Sequence, residues 1–212
     1  MGTNGLMDFI YRASDWIIRL AYVNFLWMLF SILGLIIFGI FPSTVAMFTV
    51  LRQWIRSDKD IKVFKTFWST FKSEFLKSNI LGFILLGIGF ILYIDFKFFS
   101  TIDGWVATIL NLVLLSLFVI YAIVVLYIFP VKVHFELKTI QYFKYAIVIG
   151  VSFPKTTLLI ALSVLILQYI MSYITILIIF FLGSLISFLI MRMTNSVFRV
   201  LEARAYKSLQ KL

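Results

Sequence analysis

Three polar side chains, Asn24, Asn111 and Gln168, stand inside long apolar runs of the chain, where little water competes for their hydrogen bonds. Groups so placed either line a path for a polar solute or tie one helix to another, and the second use is the commoner. Ser31, Ser116, Ser163 and Ser187 present the same choice. No carboxylate accompanies them: Asp8, Asp15, Asp58, Asp60, Glu74, Asp95, Asp103, Glu136 and Glu202 all fall outside the apolar runs or at their ends. A proton-coupled carrier keeps an ionisable group near mid-membrane, so this distribution argues against one. The single histidine, His134, lies beside Glu136 in a segment flanking an apolar run and reads as a surface residue. With no cysteine and one imidazole, thiolate chemistry and the usual metal sites are excluded. There is no phosphate-binding glycine loop and no serine elbow. The chain is therefore expected not to be an enzyme, with no catalytic residue, cofactor or metal ligand.

A second set of residues suits the chemistry of a surface. Within residues 61–79, Ile61, Phe64, Trp68, Phe71 and Phe75 recur at helical spacing with Phe67 beside them, while Lys62, Lys65, Lys72, Lys77 and small polar residues take the other faces. This pattern predicts a basic amphipathic helix lying in the membrane interface, with Phe64, Trp68 and Phe71 in the acyl boundary and Lys62, Lys65, Lys72 and Lys77 among anionic head groups of the inner leaflet. The alternative is an ordinary helix packed on its own protein.

The elements that position these groups follow from composition. A chain of 212 residues with 63% hydrophobic and 13% charged content lies outside the range of soluble domains. The expected fold is all-α, a polytopic membrane protein of about five transmembrane helices plus cytoplasmic amphipathic interfacial helices. It forms a single membrane domain over residues 1–212. The spans are expected at 20–41, 80–96, 105–129, 156–171 and 174–191, and the interfacial helices at 43–57, 61–79 and 134–150. The 36 apolar residues from 156 to 191 would make a helix of about 54 Å, so they are divided near Ser172 and Tyr173. In the second span Ser78, Gly82 and Gly89 share one face, with Gly87 nearby, and admit another helix closely.

Under this division sixteen of the nineteen Lys and Arg residues face one side, which the positive-inside rule makes the cytoplasm. The C-terminus is then inside and the N-terminus outside. Arg12 and Arg19 fit poorly there, and if residues 43–57 re-enter the membrane the N-terminus lies inside with the same loops cytoplasmic. The net charge of +10 is spread over short loops, so orientation explains it and nucleic acid is not an expected partner. A faint internal echo also appears, in which a span, a Phe-Pro pair, a basic aromatic helix and a lysine step into the next span occur twice, around Phe41-Pro42 and Phe129-Pro130.

Phe41-Pro42, Arg52 with Trp54, Phe67-Trp68 and the run from Phe71 to Phe75 resemble the pattern of the YesL-like family of small bacterial membrane proteins, and the resemblance extends less distinctly to Phe153-Pro154. It implies a multi-pass protein of the bacterial inner membrane whose activity is not established and whose relatives often accompany carbohydrate-uptake ABC transporters. The expected function is that of a non-enzymatic accessory or interaction protein, with ABC transporter subunits as partners implied by the resemblance. The competing expectation is a small-molecule permease or channel-like protein, alone or as an oligomer, with Asn24, Asn111 and Gln168 along its path.

Overall fold

The computed structural model describes residues 3–57, 61–173 and 175–210. Among these residues there are seven helices and no strand: α1 (Thr3–Leu33), α2 (Ile40–Ser57), α3 (Val63–Phe99), α4 (Trp105–His134), α5 (Thr139–Ser152), α6 (Pro154–Ser172) and α7 (Thr175–Leu209). Five of them, α1, α3, α4, α6 and α7, carry stretches long and apolar enough to cross a membrane. The long apolar run near the C-terminus divides between α6 and α7, which pack on each other.

The first apolar run is not one helix. Its helix stops at Leu33, and the chain turns back through residues 34–39 into α2. Leu35 and Ile36 adopt left-handed backbone conformations, with φ of 59° and 61°. For a β-branched residue such as Ile36 this is uncommon and costs on the order of 1–2 kcal/mol. The turn is held by backbone bonds from Gly34 N to Phe30 O (3.0 Å), Ile36 N to Ser31 O (2.8 Å) and Ile40 N to Ile36 O (3.0 Å). It is also tight, since a Cβ on Gly34 would lie 2.4 Å from the Gly39 Cα, and one on Gly39 would lie 2.3 Å from the Ser31 carbonyl oxygen. The tip itself exposes Leu33, Leu35, Ile36, Ile37 and Phe38, all apolar. Because the backbone N–H groups of Gly34, Leu35, Ile36, Ile37, Gly39 and Ile40 are bonded within the turn, this apolar reversal is compatible with a surrounding poor in water.

Residues 43–57, expected as an interfacial helix, instead form most of the helix at the centre of the bundle. Ala46, Val50 and Leu51 are fully buried, and α2 contacts α1, α3, α4 and α7. The reason is visible in its composition: Phe41 to Leu51 carries no charge on any face, and a helix apolar all round is a buried helix. Pro42 is accommodated because it falls in the first turn, where its missing N–H has no intrahelical partner to lose.

Residues 61–79 and the second span, expected as separate helices, are continuous from Val63 onward in the single helix α3. It has 37 residues, about 55 Å, well beyond the roughly 30 Å hydrocarbon thickness. Nothing breaks it at the junction. Asn79, which could end a helix, donates instead to Phe75 O (2.8 Å) and across to Phe38 O at the hairpin tip (2.9 Å). The small-residue face behaves as its spacing implies: Ser78 is buried, Gly82 receives the Phe41 ring and Gly89 receives Tyr121, whereas Gly87 faces open space.

Two apolar clusters result. One joins α1, α2 and the first half of α3 through Val23, Leu26, Phe30, Met47, Leu51, Trp54 and Phe67. The other joins α4, α5 and α7 through Tyr127, Ile128, Val131, Ala146, Met191 and Phe198, with Phe48 of α2 and Leu81 of α3 within it.

Because the Gly39 contact is with backbone that cannot move aside, Gly39→Ala is expected to lower stability by about 2 kcal/mol or more, read as a drop in the thermal unfolding midpoint in detergent. Gly87→Ala, at an open helical position, is expected to be neutral or to stabilise by up to about 1 kcal/mol. Equal effects at the two positions would mean that the hairpin is not closed as described.

Candidate functional site

At one end of the bundle the polar side chains gather around a chamber of about 1090 Å³. The second half of α2 supplies Thr49 and Arg52, and the polar half of α3 supplies Thr70, Ser73, Glu74 and Lys77. The last turn of α4 adds Lys132 and His134, beyond the apolar stretch that ends at Phe129. The extended link from Phe135 to Lys138 and the first turn of α5 complete the wall. That link is pinned by one hydroxyl: Tyr142 accepts from Leu137 N (3.1 Å) and donates to Phe135 O (3.3 Å). Lys138 N then donates to Gln141 Oε1 (3.1 Å) as α5 begins.

Lys132 is the anchor of the wall. Its side chain is only 4% exposed, its Nζ lies 2.8 Å from Glu74 Oε2, and it sits over the Tyr142 ring at 4.9 Å. The contact with Glu74 is an ion pair but is not aligned as a hydrogen bond, so that oxygen has no donor in line. The pair therefore holds α3 to α4 by charge, and the aromatic face supplies a second electrostatic contact.

A second group of charges lies where α7 comes over α2 and α4. Arg56 donates from Nε to Asn195 Oδ1 (3.3 Å) and from a terminal nitrogen to Glu202 Oε1 (2.6 Å). His134 Nε2 lies 3.1 Å from the same Glu202 oxygen, and the imidazole stacks on Phe198 at 4.0 Å. The Arg56 hydrogen bond holds the Glu202 carboxyl below its ordinary range. Burial, and then the positive charges of Arg52 and Arg56, push His134 down to about 4, so the ring is neutral at physiological pH. Its Nε2–H then donates to Glu202, and Nδ1 is left buried with no partner. The reading of His134 as a surface residue is corrected, since its side chain is 3% exposed.

Arg52 stands between these groups. Its Nε is buried and has no hydrogen-bond partner. Loss of water and then the repulsion of Arg56 lower its pKa, the mark of a guanidinium short of counter-charge.

Residues 20–96 match the family model described as "Protein of unknown function, DUF624". The chain is 42% identical over 158 residues to the uncharacterized protein YesL of Bacillus subtilis (strain 168), covering 74% of this chain and 72% of that one. The chain belongs to the YesL-like family. Two further uncharacterized proteins of the same organism match at 35% identity: YteU, over 82% of this chain and 78% of its own, and YesV, over 71% and 72%. No solved structure matches.

In this YesL-like chain the residues singled out in the sequence divide among three settings. Phe71, expected in the acyl boundary, is buried with Phe67 against Phe30, while Phe64 and Trp68 remain exposed. Lys62, Lys65 and Lys72 are exposed, with Lys72 over the Trp68 ring at 5.9 Å, and Lys77 lines the chamber. The intramembrane polar residues are not brought together. Asn24 is buried and accepts from Ser184 N of α7 (3.0 Å), Asn111 donates to Phe99 O at the end of α3 (3.2 Å), and Gln168 lies on the exposed face of α6. Asn24 also borders an apolar cavity of about 470 Å³ with Trp27, Thr44 and Ser187. Residues 58–60 lie outside the described residues.

The chamber is not legible as a unit, because Arg52, Glu74, Lys77 and Lys132 come from three different helices and are ordinary loop-proximal charges when taken singly. One signal is Lys132 itself, a charge in the last turn of α4 directly after the apolar run and two residues past Pro130.

Lys132→Met is expected to destabilise by about 2–3 kcal/mol, below the roughly 3–5 kcal/mol of a fully buried broken pair because Glu74 is 26% exposed. Adding Glu74→Met should recover more than half of that loss. Thermal unfolding of the two single variants and the double variant measures the coupling, and additive losses would show that the two charges do not interact.

Proposed function

We propose that the chain is a non-enzymatic accessory protein of the bacterial cell membrane that presents the charged chamber on the cytoplasmic side and assists a carbohydrate ABC uptake system. What carries the accessory reading is the separation of its polar groups. The charges meet in one chamber at one end, while Asn24 and Asn111 each bond a neighbouring helix at unrelated places and Gln168 faces outward. A permease path would need these to converge. The link to carbohydrate uptake comes from the family resemblance alone.

The hairpin supports an orientation with both termini inside. Trp16 of α1 packs on Trp54 and Phe188, and Arg19 lies over the Trp54 ring at 5.8 Å, so the first half of α1 accompanies the charged end of α2. With Arg12 and Arg19 moved to that side, eighteen of the nineteen Lys and Arg residues share it, and Lys97 alone faces the other. This favours the orientation in which the chain before the hairpin is cytoplasmic. Reporters fused at Met1 and at Leu212 should both read cytoplasmic and one inserted at Asp103 external, while an external reading at Met1 would show that α1 crosses without α2 returning.

The accessory role is tested by purification from native membranes in mild detergent. A stoichiometric transporter subunit is the expected companion. Recovery only as a homo-oligomer that conducts or exchanges a solute in vesicles would replace this reading with the permease.

A further inference from the structure

The charge of the chamber is not balanced from within. Arg52, Lys77, Lys132 and Lys138 line it against two carboxylates, Glu74 and Glu136, with His134 neutral, which leaves an excess of two positive charges. Glu74 is already engaged by Lys132, and Glu202 is engaged by Arg56 and His134. Glu136 is exposed on the link. Arg52 therefore keeps a buried Nε donor with no acceptor inside the protein, and a buried donor left unsatisfied carries its full desolvation cost.

We infer that the chamber is a binding site for a phosphate ester, whose phosphoryl group bridges Arg52, Lys77 and Lys138 and whose organic part lies against Tyr142 and the Phe135 link. The excess charge matches a phosphomonoester dianion. The planar guanidinium and flexible ammonium groups are the usual pair for holding one. The volume of about 1090 Å³ exceeds what inorganic phosphate fills, and the wall contributed by Val133, Phe135, Leu137 and Tyr142 supplies apolar and aromatic surface for a larger body. A phosphoryl group is offered by a soluble sugar or glycerol phosphate, which is a monoester, and also by the head group of an anionic phospholipid such as phosphatidylglycerol, a diester with a single negative charge. This inference stands apart from the accessory role, since a ligand site serves an accessory protein and a permease alike.

The purified full chain in a neutral maltoside detergent is titrated with glycerol 3-phosphate and with inorganic phosphate at fixed ionic strength, with sodium chloride as the matched control. The thermal unfolding midpoint should rise saturably with glycerol 3-phosphate, less with inorganic phosphate, and not with chloride. Arg52→Gln should weaken the response at least tenfold. Lys138→Gln, at an exposed position whose loss leaves the core intact, should weaken it severalfold, and it decides the matter if Arg52→Gln fails to fold. Lys65→Gln, outside the chamber, should leave the response unchanged. Native mass spectrometry after reconstitution in phosphatidylglycerol and in phosphatidylcholine distinguishes the source. Retained phosphatidylglycerol that glycerol 3-phosphate displaces, and that Lys138→Gln loses, assigns a lipid head group, whereas no retained lipid with an intact glycerol 3-phosphate response assigns a soluble ligand. A response equal for phosphate and chloride, or equal in the wild type, Arg52→Gln and Lys138→Gln, overturns the proposal.

Discussion

The backbones of Gly34 and Gly39 touch, and the placement of the other helices follows from that contact. Because the chain reverses there, α2 returns along α1 instead of leaving the bundle, and its uncharged first three turns become the surface on which α3, α4 and α7 assemble. Had the apolar run continued to Phe41 as one helix, Arg52 and Arg56 would have been carried away from α7. The bonds from Arg56 to Asn195 and Glu202 depend on the reversal. The tip is anchored in turn by Asn79, whose amide donates to Phe38 O and so fixes α3 against the turn.

Two kinds of cohesion divide the molecule. In the apolar part, where hydrocarbon offers no advantage to burying one aliphatic group over another, the helices are held by shape and by isolated polar bonds, such as Gly82 under Phe41 and Asn24 on Ser184 N. At the charged end the same helices are joined by Lys132 with Glu74, a pair in which the lysine is shielded from water, and by the more exposed contact of Arg56 with Glu202. Tyr127 lies near the boundary, bonded through its hydroxyl to Thr157 at 2.9 Å and surrounded otherwise by carbon.

What the sequence disclosed and what it withheld have a common physical cause. Hydrophobic run length and lysine placement report on the membrane directly, so the helical class, the five long apolar helices and the break near Ser172 could all be read in advance. The reversal at Gly34 could not, because a turn inside hydrocarbon needs none of the polar residues that mark turns in water, and Leu35 and Ile36 carry no such signal. For the same reason the sequence of α2 reads as a short interfacial piece, whereas its uncharged stretch from Ile40 to Leu51 packs at the centre of the bundle and only its last turns carry Arg52 and Arg56. The aromatic face of residues 61–79 is legible in the sequence but its use is graded: Phe64, Phe67, Trp68 and Phe71 all pack on Phe30, and of these Phe67 and Phe71 are buried while Phe64 and Trp68 stay partly exposed. The chamber was invisible because it is a property of tertiary distance. Arg52 and Lys132 are eighty residues apart, and nothing local in either segment refers to the other.

The continuity of α3 has a mechanical meaning. Its apolar half lies in the region where lipid sets the tilt, and its polar half carries Glu74 and Lys77 into the chamber wall, with no proline between them to act as a joint. A helix of this length answers a change in bilayer thickness by leaning as one rod. The leaning end is the one that holds Glu74 against Lys132. One continuous helix thus forms both part of the apolar bundle and one side of the chamber wall.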